Sequence, residues 1–460
     1  MLKKLGIGFA TWVTAASGLL IGKSSNSNDL VFGNYSDYIS SDVAQKLREK
    51  YQLRVDLFDY DHLVKERFQK GIYDIAITST SVLSELKSSG VAMKLDWSKL
   101  LGDETISQGN EVNNGQQLNK PKKTIEDARA LFTDIVKDMS HDLLEYGIPY
   151  FVQKLGFYYR GEKIKDLQEP VTFKTLIEKI SNDNRFHSKN GKPQLGLIDD
   201  PRTVLSLARK VGNKQDVNPN EDEYKNSESI LNDYKKLISA GLDKKVMGDN
   251  FLYMTPDSGP MVDALSNKDI QGAFMYNGDG LFAANGGNAE LKIKETDFHH
   301  VELSENIFFL DFLTFSNKMS EEKKDKAYKL AKDLLFLKDE VKNPFRKEGE
   351  DSGDVDSVVS SVGSEEEEGD KPYEEIVAQN FDEVQYTPTL EKVYSALNKY
   401  FKDDSDDSDD EELVKESTKH EIIKVDKPAN GKLSQDYERQ LDSQQKSDML
   451  IAYSNFKLLI

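Results

Sequence analysis

The stretch from Leu30 to Leu57 limits what this chain can fold into more than any other. Leu30-Val31-Phe32 is an apolar run interrupted at Gly33 and followed by the polar, aromatic turn Asn34-Tyr35-Ser36-Asp37-Tyr38. Val43, Leu47 and Tyr51 then recur four residues apart, which places them on one helix face. Ser40 or Ser41 is available to cap that helix, with Asp42 in its first turn and Arg48 and Lys50 in its last. Val55 and Leu57 alternate with Arg54 and Asp56, the period of a strand. Strand, turn, helix and strand in that order predict a βαβ unit and hence a parallel sheet. The turn after the first strand then lies at the carboxyl edge of the sheet, where ligands bind, so Tyr35, Ser36, Asp37 and Tyr38 are displayed at a candidate site.

A chain of 460 residues is too long for one core and predicts two lobes plus additions. The net charge of −20 is unevenly placed. Lys347 to Lys371 holds ten acidic residues against two basic, and Lys402 to His420 holds nine acidic against three basic. These two stretches carry −14 of the total, leaving the lobes mildly acidic. Nucleic acid is excluded as a partner, because phosphate binding needs concentrated Lys and Arg. The first is rich in Ser, Gly, Asp and Glu and the second in Asp, Glu and Ser, and both are expected to be disordered insertions; neither contains an Asp-x-Asp-x-Asp-Gly calcium loop. With no cysteine, the sequence offers no disulfide, thiolate nucleophile or cysteine metal ligand. At the start, Lys3-Lys4 precede an uncharged run from Leu5 to Gly22, the pattern of a secretory signal or membrane anchor. Ala15-Ala16-Ser17 offers a cleavage point, but Leu19-Leu20-Ile21 continue the run past it, so an uncleaved anchor is expected.

Further along, Ile72 to Ile77 has the character of a strand ending in Thr78-Ser79-Thr80-Ser81, a cluster that would cap a following helix in any protein. Leu195 to Ile198 is a second such strand, and Asp199-Asp200-Pro201 again suits a helix N-terminus. Asp279 and Asp311 follow the apolar runs Phe274-Met275-Tyr276 and Phe308-Phe309-Leu310. Carboxylates in such surroundings are costly unless a cation, from a side chain or a ligand, meets them. No Gly-rich phosphate loop, Gly-x-Ser-x-Gly elbow or His-Glu-x-x-His motif is present, so no enzyme activity, cofactor or metal is expected. His299-His300 would face opposite ways on a strand and could not share one metal.

Several of these segments together resemble the bacterial spermidine/putrescine-binding proteins, the extracytoplasmic receptors of polyamine ABC importers. Gly33 to Ile39 resembles the family's Asn-Trp-Thr-Glu-Tyr opening, and Tyr73 to Ser81 its Tyr-Asp-Leu-Val-Val-Pro-Ser-Thr-Tyr segment, with Ser81 in the tyrosine's place. Ile148-Pro149-Tyr150-Phe151 is similar to a crossover strand, which would bring Tyr150 or Phe151 either to the cleft or into the core. Leu197 to Arg202 resembles Leu-Leu-Asp-Asp-Ala-Arg, placing Asp200 on a ligand-binding aspartate and Thr203 where the family has a glutamate. Gly272 to Asp279 resembles the return crossover, with Tyr276 for tryptophan and Asp279 on the aspartate. Asn306 to Asp311 resembles Phe-Trp-Met-Asp, and Val384 to Pro388 resembles Ile-Gly-Tyr-Pro-Thr-Pro. Tyr158-Tyr159 is similar to the paired tyrosines of ferric-binding relatives, though a strand with one buried and one exposed face explains it as well.

The resemblance implies an α/β fold of the two-lobed periplasmic-binding type, with a ligand cleft between the lobes. Residues 1–28 would be the anchor and spacer. Lobe one would take 29–150 and 276–345, and lobe two 151–275, 373–401 and a C-terminal helix in 421–460. The acidic insertions would fill 346–372 and 402–420. A polyamine needs carboxylates for its ammonium ends and aromatic faces for its methylenes. Tyr35, Tyr38 and Tyr276 would form walls, Ser36 and Ser79 would add hydroxyls, and Asp200, Asp279 and Asp311 would supply charge. The expected partners are a polyamine, the permease of an ABC transporter and, through the N-terminal segment, a membrane, for a protein acting as a monomer. Another small solute on the same fold, or a surface adhesin that has lost its ligand, are the alternatives.

Overall fold

The computed structural model describes residues 29–36, 38–58, 61–102, 123–214, 226–284, 298–337, 344–345, 375–403, 423–424 and 434–460. The expected anchor, Asp37 and the acidic segments 346–372 and 404–420 lie outside them. Among the described residues, no helix is long and apolar enough to cross a membrane.

Strands β1 (Leu30–Tyr35), β2 (Leu53–Phe58) and β3 (Ile75–Ser79) begin the fold. β1 pairs in parallel with both of the others, as the βαβ pattern predicts. The intervening helix Ser41–Tyr51 starts at Ser40, whose hydroxyl accepts from Val43 N, and buries Val43, Leu47 and Tyr51. Two details differ from expectation. Gly33 does not end β1: the strand runs on through it to Tyr35, and a Cβ there would meet the Tyr73 ring at 2.5 Å, so glycine serves close packing. Leu57, on the edge strand β2, faces outward and is 54% exposed.

The long strand β4 (Gly147–Arg160) joins the two halves of the sheet. Its first part pairs with β9 (Glu305–Phe315), which in turn pairs with β3. Its second part pairs with β7 (Gly272–Tyr276) and β8 (Phe298–His300). β5 (Leu195–Ile198) lies parallel to β6 (Leu252–Thr255) on one side and to β7 on the other. The main path is therefore β2-β1-β3-β9-β4-β7-β5-β6, with the short β10 (Thr387–Pro388) on β4 and β11 (Ser434–Tyr437) on β9. The strand that carries the chain back to the first half is β9. Gly272–Asp279, expected as the return crossover, instead forms β7 inside the second half and then opens the helix Asn277–Ala284.

Two apolar cores follow from this arrangement. One includes Phe32, Ile75, Phe312, Leu313 and Leu334, and the other Phe157, Leu176, Leu197, Leu205 and Tyr234. The segment 373–401, expected to return to lobe two, packs instead on the first core. Helix Ile376–Val384 buries Val377, Ala378, Phe381 and Val384 there, against helices Glu321–Leu335 and Ser41–Tyr51. The C-terminal helix Ser443–Lys457 packs on the second core through Met449, Ala452, Tyr453 and Phe456, alongside helix Ser227–Ala240. Tyr150 and Phe151 are both core residues, 1% and 4% exposed.

Candidate functional site

A cleft of about 670 Å³ opens between the two halves of the sheet. β1, β2 and β3 run parallel, so their carboxyl ends deliver Tyr35, Phe58 and Ser79 to one edge, where each lines the cleft. Ser36 and Tyr38 follow β1 and line it too. From the other half come Asp200, at the start of helix Pro201–Val211, and Tyr276, at the end of β7. Asp311 reaches it from β9. Of the eight residues singled out from the sequence, the cleft thus gathers Tyr35, Ser36, Tyr38, Ser79, Asp200, Tyr276 and Asp311.

Asp279 is placed differently. It is buried behind the wall, where its Oδ1 accepts the Tyr386 hydroxyl at 2.5 Å, and it is Tyr386 that faces the cleft. Asp279 lies in the first turn of the helix Asn277–Ala284, where Asn277, Gly278 and Asp279 are all buried. Asp279→Asn keeps an oxygen for Tyr386, so its expected effect on ligand affinity is about threefold or less, smaller than for a carboxylate on the cleft surface. Calorimetric titration of that variant beside Asp311→Asn checks the ranking; an equal loss would return Asp279 to the ligand.

Asp311 forms the floor. It is 6% exposed, and its Oδ2 accepts both the Tyr38 hydroxyl, at 2.6 Å, and Gln153 Nε2, at 2.5 Å. The same Gln153 nitrogen donates its second hydrogen to Tyr38 Oη at 2.7 Å, so the three groups close a triangle. Burial raises the Asp311 carboxyl to about 7, with a contribution from the charge of Asp61, while Tyr38 and Gln153 pull it back down. Burial is also the main reason that the hydroxyls of Tyr35, Tyr38, Tyr276 and Tyr386 stay firmly protonated. Their rings meet edge to face: Tyr35 to Tyr38 at 5.6 Å, Tyr38 to Tyr386 at 4.8 Å and Tyr276 to Phe309 at 5.4 Å.

Asp200 and Ser79 both cap helices, as bare helix chemistry suggested, and both still line the cleft. Asp200 Oδ1 accepts Thr203 N at 2.6 Å, and Ser79 Oγ accepts Val82 N at 3.3 Å. Burial pushes the Asp200 carboxyl up against the lowering effect of the Thr203 hydrogen bonds. Thr203, where the resemblance led to a glutamate, pairs its hydroxyl with Tyr276 Oη at 2.6 Å.

Charge in the cleft is one-sided. Lys446 is committed to Glu85 across the lobes, and Arg202 to Glu438 at 3.8 Å. Asp199 is met by Lys457 at 3.2 Å and the Tyr453 hydroxyl at 2.7 Å. Asp61, Asp200, Asp257 and Asp311 line the same space and form no ion pair with any described residue. No described group of His, Cys, Asp and Glu has the geometry of a metal site. His299 bonds Gly161 O, and Tyr158 and Tyr159 are both 2% exposed, so the tyrosine pair has no exposed member, contrary to the one-buried, one-exposed strand expected.

Several cleft residues, Asp257 among them, were missed in the sequence. Asp61 follows β2, and the rule that made the turn after β1 suspect applies equally to this parallel neighbour. Gln153 is a polar residue inside the largely apolar strand β4, a detectable anomaly. Tyr386 lay within a quoted motif, but its segment was assigned to the wrong half. Glu438 follows β11, a strand in the stretch from Leu433 that was expected to be part of the C-terminal helix.

Known proteins share sequence or fold with this chain. The chain is 25% identical to the putrescine-binding periplasmic protein SpuD of Pseudomonas aeruginosa over 304 residues, 64% of this chain and 71% of that one. It is 23% identical to the spermidine/putrescine-binding periplasmic protein of Escherichia coli, over 49% of this chain; it spans only 56% of that relative. The fold is shared with the spermidine/putrescine ABC transporter substrate-binding protein PotD of Streptococcus pneumoniae, with TM-score 0.54, 14% identity, and 94% and 99% of the two chains covered. A structure from Listeria monocytogenes assigned to a spermidine/putrescine ABC transporter gives TM-score 0.58 at 15% identity, over 94% and 99% of the chains. The family profile described as hypothetical lipoprotein (MG045 family) matches residues 2–455, and the chain belongs to that family.

Proposed function

We propose that this protein is the solute-binding component of an ABC importer, which captures putrescine or spermidine outside the cytoplasmic membrane and passes it to a permease. The observation that carries this is the set of four cleft carboxylates, Asp61, Asp200, Asp257 and Asp311, none of which forms an ion pair with a described residue, with Arg202 acting only on Asp200 from beyond contact distance. Buried carboxylates at close range repel and lose hydration, and an organic polycation relieves both costs. Tyr35, Tyr38, Tyr276 and Tyr386 supply flat faces for methylenes and for cation–π contact. The names of the relatives from Pseudomonas aeruginosa and Escherichia coli agree with that cargo. Binding alone accounts for the arrangement, and no reaction is required of it. The uncharged run Leu5–Gly22 behind Lys3-Lys4 would serve to attach the protein to the membrane.

The test is titration of the purified protein with putrescine and spermidine, followed by calorimetry and thermal melting. At a hundredfold excess over Kd, a ligand that binds only the folded state stabilises it by about 2.7 kcal/mol, a clear rise in Tm. Saturable binding of either polyamine is expected. If neither binds while another organic cation does, the cargo is wrong; if no solute binds, the receptor itself is.

A further inference from the structure

We infer that Asp61 is a ligand carboxylate in its own right, and that with Asp311 it seats one ammonium group of the bound polycation beside the ring of Tyr35. The inference rests on the polyamine reading and adds to it a residue that lies in none of the resembling motifs. Asp61 opens the short turn Asp61–Leu63 after β2 and lines the cleft together with Phe58, Tyr35 and Asp311. Its carboxylate is held in place, Oδ2 accepting Ser79 N at 2.8 Å, and it lies near enough to the Tyr35 hydroxyl to raise that hydroxyl's pKa. Tyr35 also feels the charges of Asp311 and Asp200, so one ring has carboxylates from three separate elements around it. Neither Asp61 nor Asp311 forms an ion pair with a described residue.

Two carboxylates converging on a partly desolvated space without a cation are unfavourable unless a proton or a ligand charge is shared between them. The rings of Tyr35 and Phe58 stand edge to face at 4.9 Å beside that space and suit an alkylammonium better than a hydrated metal ion. The competing account is that Asp61 only satisfies the Ser79 amide. That role needs one acceptor oxygen and no charge, so an amide side chain would fulfil it. A ligand carboxylate, in contrast, needs the charge.

The deciding experiment is calorimetric titration of the full chain with putrescine and spermidine at pH 8, comparing the parent with Asp61→Asn and Asp61→Glu. Melting curves of each empty protein are recorded alongside. The inference expects Asp61→Asn to lose at least about tenfold in affinity with the melting temperature of the empty protein unchanged or raised, and Asp61→Glu to keep much of the affinity. Asparagine binding within twofold of the parent would show that Asp61 merely holds Ser79, and would overturn the inference while leaving the polyamine reading intact. Equal losses in both variants, or a lower melting temperature of the empty Asp61→Asn protein, would mean that shape rather than charge is at stake, and would also overturn it. If the parent itself binds neither polyamine, the functional reading falls first and the inference falls with it.

Discussion

Asp311→Asn should raise the stability of the empty protein at pH 8, lower its polyamine affinity at least tenfold, and remove the pH dependence of binding. These effects share one cause. The Asp311 carboxyl is raised to about 7 by burial on β9 and by the charge of Asp61, against the opposing donations of Tyr38 and Gln153. In the unfolded chain it would titrate near 3.9. Between those values the folded protein keeps a proton that the unfolded chain releases. The contribution of this group to stability is therefore full below about pH 4 and is lost as pH rises through about 7. Asparagine resembles the protonated form at every pH, so its advantage is absent in acid, grows from about pH 4 and is full above about pH 7; roughly 4 kcal/mol is the upper bound. Ligand binding runs the opposite way. An ammonium needs the ionised carboxylate, so at pH 6 it must displace a proton, and affinity should be about tenfold weaker than at pH 8. Titrations of the parent and the variant at both pH values test this. Parent affinity that is flat from pH 6 to 8 would mean that Asp311 is already ionised in the empty cleft or takes no part in binding.

Much of this site was visible in the sequence wherever a local pattern coincided with a topological rule. The turn after β1 could be placed because the period changes from strand to helix to strand within thirty residues, and a parallel pair fixes which edge is functional. Asp311 stood out because a carboxylate in Phe308-Phe309-Leu310-Asp311-Phe312 demands a partner. Asp279 stood out for the same reason and proved different, because its partner is the Tyr386 hydroxyl, 107 residues away in the chain. Nothing local distinguishes a carboxylate that meets a ligand from one that anchors a tyrosine. The same limit misassigned Ile376–Val384: its apolar face was legible, but which core receives it depends on helices Ser41–Tyr51 and Glu321–Leu335. Asp61 lies in no apolar run that would mark it, although the carboxyl-edge rule covers the turn after β2.

Gly278→Ala and Gly280→Ala should both destabilise the protein, yet only the first should damage binding. A Cβ on Gly278 would fall 2.6 Å from Cγ and Cδ1 of Tyr386. That ring is 5% exposed, its hydroxyl is fixed by Asp279 and its face is met by the edge of Tyr38 at 4.8 Å. It cannot swing aside within the wall, so relief comes by moving towards the cleft, the one open side. A Cβ on Gly280 would fall 2.3 Å from Cζ of Tyr158, a ring 2% exposed that does not line the cleft. Overpacking of this kind costs about 1–3 kcal/mol at either position. Melting temperatures of both variants should therefore fall together. The affinity of the molecules that remain folded should fall for Gly278→Ala and hold for Gly280→Ala. Measured below the melting transition, equal affinities for the two variants would show that the Tyr386 ring does not shape the binding surface; a loss in Gly280→Ala alone would place the ligand on the other side of β4.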